Sequence, residues 1–215
     1  MCIGLYFIPV WVAAQDAAVA EKNTILVLGD SLSAAYGLRP EQGWVALLQK
    51  RLETQGYGYS VTNASVSGET SSGGLQRLPR ALSLHQPSIV IVELGANDGL
   101  RGLPVATTRR NLTQIIELAG KAKAKVLLVG IRMPPNYGPR FTESFNSSYP
   151  ELAKSYRLPL VPFLLEKLAL NPQALNPQLL QQDGLHPTAP AQPLLLDTVW
   201  PHLLPLLKRP LLKSK

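Results

Sequence analysis

Cysteine and histidine are scarce. In 215 residues there is one cysteine, Cys2, and there are three histidines, His85, His186 and His202. A single thiol cannot build a disulfide framework, so the fold must rest on a packed core, for which the length suffices. A catalytic zinc site ordinarily takes three N, O or S ligands at suitable spacing. With no cysteine pair and no clustered histidines, we expect no metal and no cofactor. Charge is also sparse: 16% of residues are charged, although the sign is biased to a net +7 and a pI of about 9.6. The cations are scattered and no aromatic-interleaved Arg/Lys stripe occurs, which argues against nucleic acid as a partner. A basic surface of this kind is compatible with transient contact with an anionic lipid surface. Internal repeats, low-complexity tracts and linkers are absent as well, so we expect one domain, a monomer, over 21–215.

No long apolar run is present. The run over 3–14 is about a dozen residues, too short to cross a bilayer as a helix. It is followed by small residues up to Ala18-Val19-Ala20, the small-x-small form of a signal-peptidase site, so 1–20 reads as a signal peptide and the mature chain as periplasmic or secreted. The basic start usual for such a leader is missing, since the first cation is Lys22. Cleavage after Ala20 would remove Cys2 and leave a chain indifferent to the redox state of its compartment. Cys2 is not preceded by the Leu-rich stretch of a lipoprotein signal, so no lipid anchor is expected.

From Thr24 onward the pattern is regular. Short β-rich apolar segments at 24–28, 59–63, 88–94, 125–131 and 158–162 alternate with helix-period segments at 43–55, 73–84, 105–122, 142–156 and 189–207. Strands separated by helices must run parallel, which predicts an α/β protein: a three-layer α/β/α sandwich around a single five-stranded parallel sheet. The near-continuous run Ile89-Val90-Ile91-Val92 marks the most buried strand. The Asn-, Pro- and Gln-rich stretch over 168–183 reads as a surface loop with a helical turn.

The first strand ends in Gly29-Asp30-Ser31-Leu32-Ser33, whose small residues read as the start of a helix. A serine there is either a helix N-cap or a residue delivered to the carboxyl end of a parallel sheet, where such folds bind ligands. Asp183-Gly184-Leu185-His186 favours the second reading. A serine nucleophile needs a base, and the base needs an acceptor on its other ring nitrogen. Asp183 and His186, three residues apart on a tight turn, can supply both. Gly68, in Ser67-Gly68-Glu69-Thr70, offers a backbone amide, and Asn97, in Gly95-Ala96-Asn97-Asp98, offers a side-chain amide after another strand. Together these residues suggest acyl transfer, with Ser31, His186 and Asp183 as triad. The amides of Ser31 and Gly68 and the side chain of Asn97 are then the oxyanion donors. Asp30 is expected to steady the turn. Two rivals fit less well. A metal bound by Asp30, Asp98, Asp183 and His186 lacks ligand spacing. A receiver-like signalling module needs paired acids after the first strand and a lysine after the fifth, where this chain has Gly29-Asp30-Ser31 and Pro162-Phe163-Leu164. His85 and His202 read as surface or capping residues.

These blocks resemble the SGNH (GDSL) hydrolases, whose four signature residues fall on Ser31, Gly68, Asn97 and His186. The likeness extends through 63–71, 92–102 and 131–138 to the branch that contains thioesterases, lysophospholipases and arylesterases. One departure is Ala96, where many relatives carry Gly; it adds a methyl beside Asn97 that we expect to be tolerated. The resemblance implies a doubly wound, flavodoxin-like sheet and a serine esterase acting on small acyl esters or thioesters. Leu100, Leu103, Met133, Pro135 and Tyr137 are expected to wall an acyl groove, or else to pack the loops. The alternatives are a carbohydrate O-acetylesterase and a non-catalytic binding relative.

Overall fold

The computed structural model describes residues 23–169 and 178–208. The expected leader and much of the Asn/Pro/Gln-rich loop lie outside the described residues. Five strands, β1 (Asn23–Gly29), β2 (Tyr59–Asn63), β3 (Ile89–Glu93), β4 (Lys125–Val129) and β5 (Leu160–Val161), form one parallel sheet in the order β2-β1-β3-β4-β5. Central β3 is buried along its whole length, as its unbroken apolar run predicts.

Alternation within these apolar strands divides the core in two. Leu26, Leu28, Val90, Val92, Val126 and Leu128 face α2 (Ser71–His85), α4 (Val105–Lys121) and α5 (Pro139–Tyr156). Ile25, Val27, Ile89, Ile91, Leu127 and Val129 face α1 (Trp44–Thr54), the short α6 (Glu166–Ala169) and α7 (Gln192–Leu203). Period-two geometry therefore holds even where no polar residue alternates. The expected three-layer α/β/α sandwich is what the sheet and its two helical faces form.

Three local differences from the sequence reading have physical causes. β5 is two residues long rather than five because Pro159 and Pro162 flank it and lack the N–H a ladder needs. Helix α2 starts at Ser71, earlier than its apolar period suggests. There the Thr70 side chain accepts from Gly73 N (3.3 Å) and buried Asp98 accepts from Ser71 N (2.8 Å), satisfying N-terminal donors. After β1 no helix forms. Residues 31–37 are turns, closed by Ala34 N–H to Asp30 O and Tyr36 N–H to Ser31 O, and Ala35 takes a left-handed φ of 59° that breaks helical continuation. Ser31 is thus not a helix cap. Among the described residues no helix is long and apolar enough to cross a membrane.

Candidate active site

Strand order reverses between β1 and β3, which opens a crevice at their carboxyl ends. Ser31 follows β1, Gly68 follows β2, and Asn97 sits in the short helix α3 (Ala96–Leu100) after β3. The fourth contribution comes from a turn near the end of the chain. An antiparallel bridge pairs Leu180 with Pro187, and Gln181 N donates to His186 O (2.8 Å), so the segment between them projects Asp183 and His186 over the crevice. Gln181 also donates through Nε2 to Tyr36 O (2.8 Å), tying this turn to the serine loop.

Ser31, His186 and Asp183 form a continuous chain. His186 Nε2 lies 2.8 Å from Ser31 Oγ, and His186 Nδ1 lies 2.7 Å from Asp183 Oδ2. Asp183 Oδ1 accepts from Leu185 N (2.9 Å) and His186 N (3.0 Å). The His186 and Leu185 amides, then the His186 ring, hold the Asp183 carboxyl down at about 2. Asp183 is therefore an acceptor only, so Nδ1 carries the ring proton and Nε2 is left to accept from the serine hydroxyl. A depressed carboxyl stabilises the fold above its unfolded value near 4 and loses that contribution as pH falls through about 2. The Asp183 side chain is 38% exposed, so solvent screens much of this effect. Tyr36 packs its ring 4.5 Å, centroid to centroid, from the imidazole.

Facing the serine are three candidate donors. Gly68 has φ +78°, a left-handed conformation that suits glycine, and Arg101 Nη2 donates to its carbonyl (3.0 Å). The N–H groups of Ser31 and Gly68 donate to no protein acceptor among the described residues. Asn97 Nδ2 donates to Glu69 O (2.9 Å) and to Asp30 Oδ2 (3.3 Å). Ala96, the departure noted above, lines the crevice beside Asn97.

Beneath the serine lies a carboxyl pair that the sequence reading did not identify. Asp30 accepts from Leu32 N at Oδ1 (3.1 Å), which closes the turn as expected. Glu93, at the end of β3 and fully buried, accepts at Oε2 from Ser33 Oγ (2.7 Å) and Asp30 N (3.3 Å), while its Oε1 has no partner among the described residues. A Cβ at Gly29 would come within 2.8 Å of Glu93 Oε2, so glycine is required for this close approach. Burial, then the neighbouring Asp30 charge, pushes the Glu93 carboxyl well above its ordinary range. For a raised carboxyl, stability is fully present below the unfolded value and is lost as pH rises toward the folded one. Glu93→Gln keeps the Ser33 contact and removes the titration. Thermal denaturation of both proteins should therefore give similar Tm at about pH 4 and a growing advantage for the Gln protein toward about pH 8. A difference independent of pH would mean that Glu93 titrates normally.

The crevice opens into a cavity of about 320 Å³ whose lining is mainly apolar, including Leu100, Ile131, Met133, Phe163, Leu164 and Leu165. Of the expected groove residues, Leu100 and Met133 line it. Leu103, Pro135 and Tyr137 do not. Tyr137 borders a separate hollow beside α5, and its hydroxyl donates to Leu100 O (3.3 Å), supporting the wall from outside. Asp98 is structural, since it binds Ser71 N, Ser71 Oγ and Thr108 Oγ1. His85 and His202 lie in the last turns of α2 and α7, away from the crevice. Among the described residues no group of three His, Cys, Asp or Glu is placed to hold a metal ion.

Residues 27–192 match the GDSL-like Lipase/Acylhydrolase family. The chain is 50% identical over 206 residues to "Esterase TesA" of Pseudomonas aeruginosa, covering 96% of each chain. It is 46% identical over 187 residues to "Thioesterase 1/protease 1/lysophospholipase L1" of Escherichia coli K12, covering 87% of this chain and 86% of the relative. A crystal structure of TesA superposes with a TM-score of 0.80 at 52% identity, covering 86% of this chain and 99% of that one.

Proposed function

The chain belongs to the GDSL-like lipase/acylhydrolase family, and on that premise we propose that it is a serine esterase hydrolysing acyl esters and thioesters through an acyl-enzyme on Ser31. The observation that carries the reading is the chain of contacts from Ser31 Oγ to His186 Nε2 (2.8 Å) and from His186 Nδ1 to Asp183 (2.7 Å), at the mouth of an apolar cavity.

In the first step Ser31 Oγ attacks the acyl carbonyl as His186 Nε2 takes its proton, and Asp183 stabilises the imidazolium. Charge on the carbonyl oxygen is met by the amides of Ser31 and Gly68 and by Asn97 Nδ2, each donor being worth roughly 2.7–4 kcal/mol by precedent. His186 then protonates the departing alcohol or thiol. Water repeats the sequence, with His186 again as base, and releases the acid. A thioester and an oxygen ester present the same acyl carbonyl to Ser31 and the same oxyanion to its donors, so one site serves both, with protonation by His186 mattering more for the poorer alkoxide leaving group.

The cavity volume of about 320 Å³ lies at the small end of ligand sites, roughly 300–1,000 Å³, and suits one acyl chain. Four exposed apolar side chains gather on this face: Tyr36, Leu100 and Leu185 line the cavity mouth, and Val66 lies beside Ser67. With Arg101 and Arg132 among them, they fit transient contact with an anionic lipid surface. A panel of acetyl, octanoyl and palmitoyl esters and thioesters, each assayed with and without anionic vesicles, tests both parts. We expect octanoyl and longer substrates to be preferred, and anionic but not zwitterionic vesicles to bind the enzyme. Preference for acetyl esters would favour a carbohydrate O-acetylesterase, and indifference to vesicle charge would remove the lipid contact.

A further inference from the structure

Asn97 carries an amide whose two ends differ in chemistry: Nδ2 can stabilise an oxyanion, and Oδ1 would repel one. Something must therefore fix which end faces Ser31. Its Nδ2 donates to two acceptors from separate loops, Glu69 O (2.9 Å) and Asp30 Oδ2 (3.3 Å). Turning the amide over would set its carbonyl oxygen against a carboxylate and a backbone carbonyl, with no donor between them. The same carboxylate holds the serine turn, because Asp30 Oδ1 accepts from Leu32 N (3.1 Å). Asp30 is fully buried, so water cannot take over either contact.

We propose that Asp30 is a positioning residue: one buried carboxylate fixes both the turn that carries the nucleophile and the orientation of the Asn97 amide that receives the oxyanion. This inference rests on the proposed acyl-transfer reading. The contact to Asp30 is the longer of the two made by Asn97, so it is the one that yields when Nδ2 turns to an oxyanion, while Glu69 O keeps the amide in place. Charged groups reach Asp30 from several elements. His186, above the crevice, favours the carboxylate; Glu93 on β3 and Asp98 on α3 oppose it, and the Tyr149 hydroxyl on α5 feels the same negative cluster. Burial is the largest influence and lifts the Asp30 carboxyl to about 6.

Asp30→Asn is nearly isosteric but cannot accept from both Leu32 N and Asn97 Nδ2, since one of its two ends is itself a donor. Loss of a donor outright costs about 10²–10³-fold in kcat, so loss of its alignment should cost about 10–10²-fold, with KM within about twofold. The discriminating experiment is a double-mutant cycle on a soluble octanoyl ester. In an Asn97→Ala background, Asp30→Asn should change kcat by less than about threefold, because the amide oxygen at position 30 still accepts from Leu32 N and the Asn97 amide it would otherwise misalign is gone. If the two losses multiply, Asp30 does not act through Asn97 and the proposal is overturned. If Asn97→Ala alone keeps full activity, the oxyanion reading fails first and the proposal with it. A measurement on the unmutated protein guards against misfolding of the variant. The Asn97 side-chain NH₂ resonances should shift with a midpoint near 6 that matches the Asp30 carboxyl carbon. Resonances that ignore the Asp30 titration would overturn the proposal independently.

Discussion

Ser31→Ala is expected to reduce ester and thioester hydrolysis by about 10⁶-fold while leaving the protein folded. A fall of that order is what other serine hydrolases show when the nucleophile is removed, because the remaining triad has nothing to activate. Ser31 is only half-buried and its hydroxyl meets His186, so the substitution leaves no cavity and should shift stability by no more than about 1–2 kcal/mol. Steady-state assays on octanoyl ester and thioester, with thermal denaturation of the same preparations, read both effects. Loss of activity together with collapse of Tm would make the serine structural, and persistent activity would place the nucleophile elsewhere.

Asp183→Asn should lower kcat by up to about 10⁴-fold, with little change in KM. Asp183 Oδ2 takes the Nδ1 proton at 2.7 Å, and an amide there can donate instead, stabilising the tautomer whose Nε2 is protonated and cannot act as base. The pH profile separates this role from a simple charge effect. Asp183 keeps its charge down to about 2, so it does not supply the acid limb of activity. His186 has to be neutral to take the Ser31 proton, and Asp30, raised to about 6 chiefly by burial, contributes to the same limb. Activity should fall on acidification, and His85→Ala and His202→Ala should leave the limb unmoved. A limb that shifts with either of those substitutions would remove His186 from the role of base.

The reach of the sequence differs among these elements. Strand β2 and helix α1 are legible to within a residue because apolar periodicity and Gly43 mark them. The Asp183–His186 turn is legible because both functional groups lie three residues apart and need no tertiary information. The length of β5 is overestimated because a run of apolar residues does not reveal that flanking prolines end the ladder. The helix expected after Ser31 fails for a subtler reason. Small residues such as Ser33, Ala34 and Ala35 suit helices and turns equally, and the left-handed conformation of Ala35 decides for the turn.

The contacts around Asn97 are not legible at all. Asp30 and Glu69 come from the loops after β1 and β2 and Asn97 from helix α3 after β3, and only the strand order brings them together. Glu93 reads as the polar end of a strand, and nothing local signals that its carboxyl is buried under Ser33. The cavity beside the serine is half legible. Leu100 and Met133 stand out in the segments after β3 and β4, whereas Ile131, Phe163 and Leu164 follow β4 and β5 and look in sequence like ordinary core residues.

The most direct test of the acyl-enzyme is to find it. A rapid acid quench during turnover of an octanoyl thioester, followed by proteolysis and mass spectrometry, should place one octanoyl group on the peptide containing Ser31, and Asp183→Asn should slow its appearance. An octanoyl group on any other residue, or a pre-steady-state burst with no covalent adduct on Ser31, would contradict the mechanism.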